Sequence, residues 1–403
     1  MRWFAFGVAV WFAMWIGRGL AQAEDVSLGA AIGAGAQGDA TYGALELRLD
    51  LQPARHGEDG PRLGLGVRAV WDDGVFRKSD WSSASDLVTI VRDFAATTEL
   101  GARDSDGRVG HLAIAAGRLA PSHIARLADG YRSTLDDRWR TGVRTAAVTS
   151  GTEAVLEIDD VLAPVLIAGA VNYQLAPPWG VHAAFAVDPD QPKMPDGTDA
   201  PGATRTAGVF EAGASRRFED DRSRTDLGAS LVAEVGLGLH ALGYVETSIG
   251  IGETRYAIRA DARAGSGTVG SMFGPLYRVE RVAMWQRARA GELQGAAFGA
   301  TAGFAAPNGW LEVGLRDRPG LGVLATATAG APMGKHVQGA LWAAASAQEG
   351  AGAAEVRVAW AKRLFSAIQG ARIYELAGLA DPAGQAMPKA IWSVTAWFGA
   401  ATN

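Results

Sequence analysis

The chain has 403 residues, 48% of them hydrophobic, with a formal net charge of −5 and no cysteine. So mild an acidity offers no electrostatic footprint for nucleic acid, and the missing thiols exclude disulfides, thiolate metal sites and a lipid-attachment cysteine. The overall polarity is that of a soluble chain, but a membrane barrel gives the same average because its two faces alternate and cancel.

Residues 1–23 open with Arg2, run apolar from Trp3 to Ile16 and finish on Ala21-Gln22-Ala23. Small residues at the positions a signal peptidase inspects predict an export signal cleaved after Ala23. The run is shorter than the roughly 20 apolar residues of a membrane helix and is followed by Arg18. Its removal takes away Arg2 and Arg18, leaving 36 basic against 43 acidic residues and a charge of −7.

From there the chain alternates. Leu45, Leu47, Leu49 and Leu51 take one face against Glu46, Arg48 and Asp50, and Leu63 to Trp71 repeats the scheme with Gly64, Gly66 and Arg68 inward. Val165 to Leu175 and Trp179 to Val187 read as a hairpin about Pro177-Pro178. Leu227, Ala229, Leu231, Ala233, Val235, Leu237 and Leu239 are spaced by two, predicting one long strand. Tyr256, Ile258, Ala260, Ala262 and Ala264 oppose Arg255, Arg259, Asp261 and Arg263. Gly295 to Ala306 and Gly339 to Ala354 are Ala/Gly-rich and are read as strands, because glycine counts against helix. Leu311, Val313 and Leu315 against Glu312 and Arg316, and Ala354 to Trp360 against Glu355 and Arg357, continue the form. Asp73 to Asp86 and Asp188 to Thr204 read as polar loops. Leu119 to Gly142 has no alternation and holds Arg126, Asp129, Arg132, Asp136, Asp137, Arg138 and Arg140.

The last stretch, Lys389 to Phe398, places Ala390, Trp392, Val394, Ala396 and Phe398 on one face. This ending, with the export signal, resembles bacterial outer-membrane β-barrel proteins of the porin kind, although Gly399 to Asn403 follow the aromatic residue that usually ends such chains. The resemblance implies assembly by the barrel-assembly machinery, residence in the outer membrane's lipid bilayer and contact with small hydrophilic solutes. The 119–142 segment resembles the inward-folded constriction loop of general porins; the alternative is a surface loop kept soluble by its charges. The expectation is an all-β chain, with residues 24–403 forming one transmembrane antiparallel β-barrel of about 18 strands, range 16 to 20, at roughly 20 residues per strand and turn.

The expected function is passive diffusion of small solutes or ions. A closed or plugged scaffold barrel is the alternative and an outer-membrane hydrolase the third reading. The expected pore lining is Arg48, Arg68, Arg118, Asp129, Arg132, Asp136, Asp137, Arg138, Arg255, Arg259 and Arg263, with Arg316 and Arg357 as further inward arginines, because guanidinium groups stay hydrated in a water-filled lumen. The opposing expectation is that Asp261, Glu312 and other inward acids pair with the wall arginines and cancel their field. His56, His111, His123, His182, His240 and His336 accompany no nucleophile elbow, His-Glu-x-x-His pair or phosphate loop, so they read as wall or loop residues. No catalytic residue, metal or cofactor is expected.

Overall fold

The computed structural model describes residues 25–37, 40–52, 62–72, 74–76, 91–100, 110–117, 119, 122–131, 140–189, 207–235, 237–266, 273–277, 284, 288, 291–320, 322–346, 349–361, 364–375 and 390–401. The predicted export signal lies outside them. In chain order the first strands are β1 (Asp25–Gln37), β2 (Ala40–Gln52), β3 (Arg62–Asp72), β4 (Val75–Phe76), β5 (Val91–Leu100), β6 (Gly110–Gly117), β7 (Ser122–Ile124) and β8 (Ala128–Tyr131). Next come β9 (Gly142–Val148), β10 (Thr152–Ile158), β11 (Ile167–Ala176), β12 (Trp179–Asp188), β13 (Ala207–Glu219), β14 (Ser223–Glu234), β15 (Gly238–Ile251) and β16 (Thr254–Gly265). The last are β17 (Gly295–Ala306), β18 (Gly309–Arg318), β19 (Gly322–Pro332), β20 (Val337–Ala345), β21 (Glu349–Ala361), β22 (Leu364–Glu375) and β23 (Ala390–Ala401).

Among the described residues, twenty of these strands pair antiparallel with their chain neighbours, and β1 pairs with β23 from Gly29↔Ala401 to Gln37↔Ser393, which closes the ring. β4 makes only a two-residue antiparallel pairing with the end of β3, and β7 and β8 form a separate hairpin. The fold is therefore a transmembrane antiparallel β-barrel. Its strand number is even, as bacterial single-chain barrels require, and sits at the top of the expected range rather than at 18.

The alternation explains which side meets lipid. Ile32, Leu47, Val67, Leu231, Val313 and Phe398 are exposed on the outer face, while Glu46, Ser230, Glu234 and His240 from the opposite parity are buried inside. A period of two does this automatically, since successive side chains leave a strand on opposite faces. On the outer rim Arg216 lies 5.4 Å from the Trp179 ring and 4.9 Å from that of Phe218, the amphipathic pairing that suits a membrane–water interface.

Register also sorts the ends of the barrel. The connections 149–151, 177–178, 220–222, 252–253, 307–308, 333–336 and 362–363 fall at one end, together with 53–61, 101–109, Asp25 and Ala401. The longest connections, 189–206, 266–294 and 376–389, fall at the other, along with 159–166 and the short turns 38–39, 235–237, 319–321 and 346–348. Short turns on the periplasmic side and longer loops outside are the usual asymmetry of such barrels.

Three sequence expectations change. The run from Leu227 to Leu239 is two strands, because the chain turns at 235–237, where Leu237 N donates to the Glu234 carbonyl at 3.1 Å and Gly238 takes a φ of +151°. Leu237 consequently packs inward instead of facing lipid. Gly339 to Ala354 likewise divides into the end of β20 and the start of β21. Asp188, read as the first loop residue, is the fully buried last residue of β12.

Candidate functional site

The described stretch Ser122 to Tyr131 of the segment that broke the alternation makes contacts with β10 and with β15, β16 and β18. At its base Ser122 Oγ donates to Glu157 Oε1, and Tyr131 Oη donates to Asp159 Oδ2 at 2.5 Å. Asp159 is itself set by the backbone N–H groups of Val165 and Leu166, each at 2.9 Å to Oδ1. Glu157 also accepts from Arg144 Nε at 2.7 Å, its cross-strand partner between β10 and β9. Both feet of the β7–β8 hairpin thus rest on β10 and the turn that follows it.

The tip reaches β15 and β16. Arg126 sits 3.1 Å from the centroid of Tyr244 and 3.7 Å from Glu246, both on β15. Its carbonyl accepts from Arg263 Nη2 at 3.0 Å. Ala125, just before it, has a left-handed φ of +48°, an uncommon conformation for a residue with a Cβ. Tyr244 lies flat because Gly228, opposite it on β14, has no side chain: a Cβ there would stand 2.2 Å from the ring.

Asp129 is the centre of the charge network. Its carboxylate lies 3.3 Å from Arg316 Nη2, 3.6 Å from Arg259 Nη1 and 3.1 Å from His123 Nδ1. Arg259 continues to Glu312 at 3.3 Å, Arg316 to Asp261 at 3.1 Å, and Arg263 to Asp261 at 3.0 Å. The Asp261–Arg316 pair spans β16 to β18 across Gly299, where a Cβ would meet Asp261 Oδ1 at 2.7 Å. Burial pushes the Asp129 carboxyl up, but the His123 hydrogen bond and the charges of Arg316 and Arg259 outweigh it and hold the group well below the usual carboxylate range.

Described residues of a second segment, absent from the sequence expectation, pack beside the hairpin. Phe273, Tyr277, Met284, Ala288 and Leu293, from the β16–β17 connection, form one buried apolar cluster with Ile124, Leu127 and Tyr131 of the hairpin and with Val232 and Leu242 of the wall. Tyr277 packs against Phe273 with its ring tilted by 57° at 4.6 Å and donates to Asp188 Oδ2 at 2.7 Å. Leu276 packs the other way, with Leu324, Ala344 and Ala351 of β19, β20 and β21. The spacing of seven from Tyr277 to Met284 and four to Ala288 was the available signal, since it is helical and not strand-like.

Of the expected pore residues, the structure brings together Asp129, Arg259 and Arg263. Arg255 stands exposed near the turn end of β16, apart from them. Arg48 and Arg68 occupy positions on β2 and β3, with Glu46 directly opposite Arg68, but their side chains fall outside the described residues. Arg118, Arg132, Asp136, Asp137 and Arg138 also lie outside them. Arg316, an expected wall arginine, joins Asp129, Arg259 and Arg263 with Asp261 and Glu312, two of the acids expected to pair with the wall arginines, and Arg126 of the hairpin adds a contact that was not expected. Among the histidines, His182 Nε2 meets both Glu211 Oε1 at 3.1 Å and Ser230 Oγ at 2.9 Å. One ring nitrogen serves both partners, whereas a catalytic relay uses one nitrogen for each.

Two cavities flank the hairpin. One, of about 470 Å³, is bordered by Arg126, Arg217, Arg224, Arg259, Asp226 and Glu246. The other, of about 280 Å³, lies against β17 to β20.

No protein-family model matches the chain, and no curated protein matches it. Solved structures that align with it include the outer membrane protein OpdK from Pseudomonas aeruginosa, at 12% identity over 94% of this chain and 99% of that one, with a TM-score of 0.37. OccK2 (OpdF) from Pseudomonas aeruginosa, in complex with glucuronate, aligns at 11% identity over 94% and 95%, with a TM-score of 0.41. A BenF-like porin from Pseudomonas fluorescens Pf-5 aligns at 10% identity over 94% and 99%, with a TM-score of 0.38. At such identities and scores these likenesses assign this chain neither substrate nor activity.

Proposed function

We propose that the protein is a passive channel of a bacterial outer membrane, admitting small hydrophilic solutes or ions through a lumen narrowed by the β7–β8 hairpin. The observation that carries this reading is a closed barrel with an apolar outer face and, inside it, charged side chains bordering cavities on both sides of a hairpin that contacts β10, β15, β16 and β18. Barrels of comparable strand number leave room for an aqueous lumen, and charges within it act in a space where fields are focused. Export by a leader cleaved after Ala23 and insertion by the barrel-assembly machinery belong to the same reading. Amino-terminal sequencing of the mature protein tests the cleavage, with Glu24 as the expected first residue.

The apolar cluster around Phe273 and Tyr277 favours a second reading, a plugged scaffold barrel, because it packs beside the hairpin. Planar-bilayer recording of the purified, folded protein separates the two. Steady single-channel conductance that rises when residues 123–130 are replaced by a short Gly-Ser turn supports the channel. A folded barrel that conducts in neither form overturns it.

A further inference from the structure

The smaller cavity has a chemistry that diffusion alone does not require. Its volume of about 280 Å³ is near the lower end of small-molecule sites, about 300 Å³. The ions around it are already matched: Asp129, Asp261 and Glu312 against Arg259, Arg263 and Arg316. An incoming anion or cation would have to break one of these pairs to find a partner.

What remains on its wall is neutral. Thr301, Gly314 and Thr326 stand in one cross-strand row over β17, β18 and β19. The two hydroxyls lean over the glycine: a Cβ on Gly314 would lie 2.6 Å from Thr326 Oγ1 and 3.3 Å from Thr301 Oγ1. Neither hydroxyl has a hydrogen-bond partner among the described residues, so both face the cavity with donor and acceptor capacity unspent. The next row adds Thr328 beside Trp342. Trp310, one row further along β18, lies flat on Gly330, where a Cβ would come within 2.8 Å of its indole nitrogen.

We propose that this cavity is a binding subsite for a neutral polyhydroxylated molecule the size of one sugar ring or a short linear polyol. The inference rests on the channel reading, in which the subsite is a station beside the hairpin. Ligand hydroxyls exchange hydrogen bonds with the threonine row. The weakly positive C–H face of the ligand lies on the electron-rich indole faces. Gly314 supplies the depth, because any side chain would occupy the place of the ligand's hydroxyl.

Titration calorimetry of the full-length barrel in detergent, with D-glucose and with gluconate as probes, tests this without requiring conductance. Glucose should bind measurably and gluconate more weakly. Thr326→Val, which keeps the shape and removes the hydroxyl, and Gly314→Ala should each weaken glucose by about tenfold, with the folded fraction checked by heat-modified gel mobility. Planar-bilayer recording adds the second axis, with D-glucose expected to block the current of the natural protein and to spare Thr326→Val. Conductance without glucose binding overturns the subsite and leaves the channel. Glucose binding without conductance upholds the subsite and removes the channel. Gluconate bound as tightly as glucose, or a Thr326→Val protein that binds like the natural one, overturns the assignment.

Discussion

Asp129 shows how one carboxylate can hold a loop against a barrel wall. It meets two guanidinium groups from β16 and β18, so Asp129→Asn leaves both arginines facing the lumen with half their compensation gone. Loss of one partner of a largely buried ion pair costs up to about 3 to 5 kcal/mol, and partial exposure of Arg259 places this site at the lower end. The expected result is a reversal potential shifted toward anion selectivity in bilayers under a salt gradient; an unchanged potential would mean the pairs do not border the ion path. The sign of the pH effect follows from a folded carboxyl held below its free value. Its contribution is complete above about pH 4, where the free group is ionised, and is lost only as acidity increases further. The difference between the natural protein and Asp129→Asn should therefore hold constant from pH 7 to pH 5. A difference that fades across that interval would show a carboxyl raised above its free value, the opposite of the direction its ion pairs give. Gly228→Ala tests a steric dependence in the same region, because its methyl group would drive Tyr244 and with it Arg126 off the wall.

Strand by strand, inside and outside were legible because a period of two leaves no freedom: once Leu231 faces lipid, Ser230 and Val232 must face the lumen. Val313→Arg, at the centre of the lipid face of β18, should cost about 2 to 4 kcal/mol. Asn172→Arg, on the lumen side of β11 opposite Glu153, should stay within about 0.5 kcal/mol. Denaturant midpoints in liposomes compare them, and equal losses would invert the facing. The 119–142 segment stood out for the complementary reason, that charges without alternation have no place in a barrel wall. Legibility failed where local pattern and chain direction part company. The spacing by two runs on through Val235 and Leu237 although the chain reverses there, since a tight turn need not interrupt the order of apolar residues. The lumenal segment holding Phe273 and Tyr277 was missed because its apolar side chains are buried against the inner wall, opposite to where a barrel's apolar side chains are expected. Arg126 was seen only as one charge among many; its role depends on Tyr244, a residue far from it in the chain.

For the whole molecule the outer apolar face dictates that the protein be recovered with the outer membrane and released only by detergent; recovery from the soluble periplasm would contradict the membrane reading. The closed ring has a further consequence for how the molecule is made. Every neighbouring pair of strands but one is joined by a nearby connection, and the exception is the seam, where Ile32 lies opposite Phe398. Bringing those two positions together closes the longest loop the sheet contains, and contacts so distant in sequence are the slow ones to form. Until then β1 and β23 each present an unpaired edge, the kind of surface that recruits strands from other chains. The nineteen local pairings can thus accumulate as an open sheet, and the seam decides whether that sheet becomes a barrel or an aggregate.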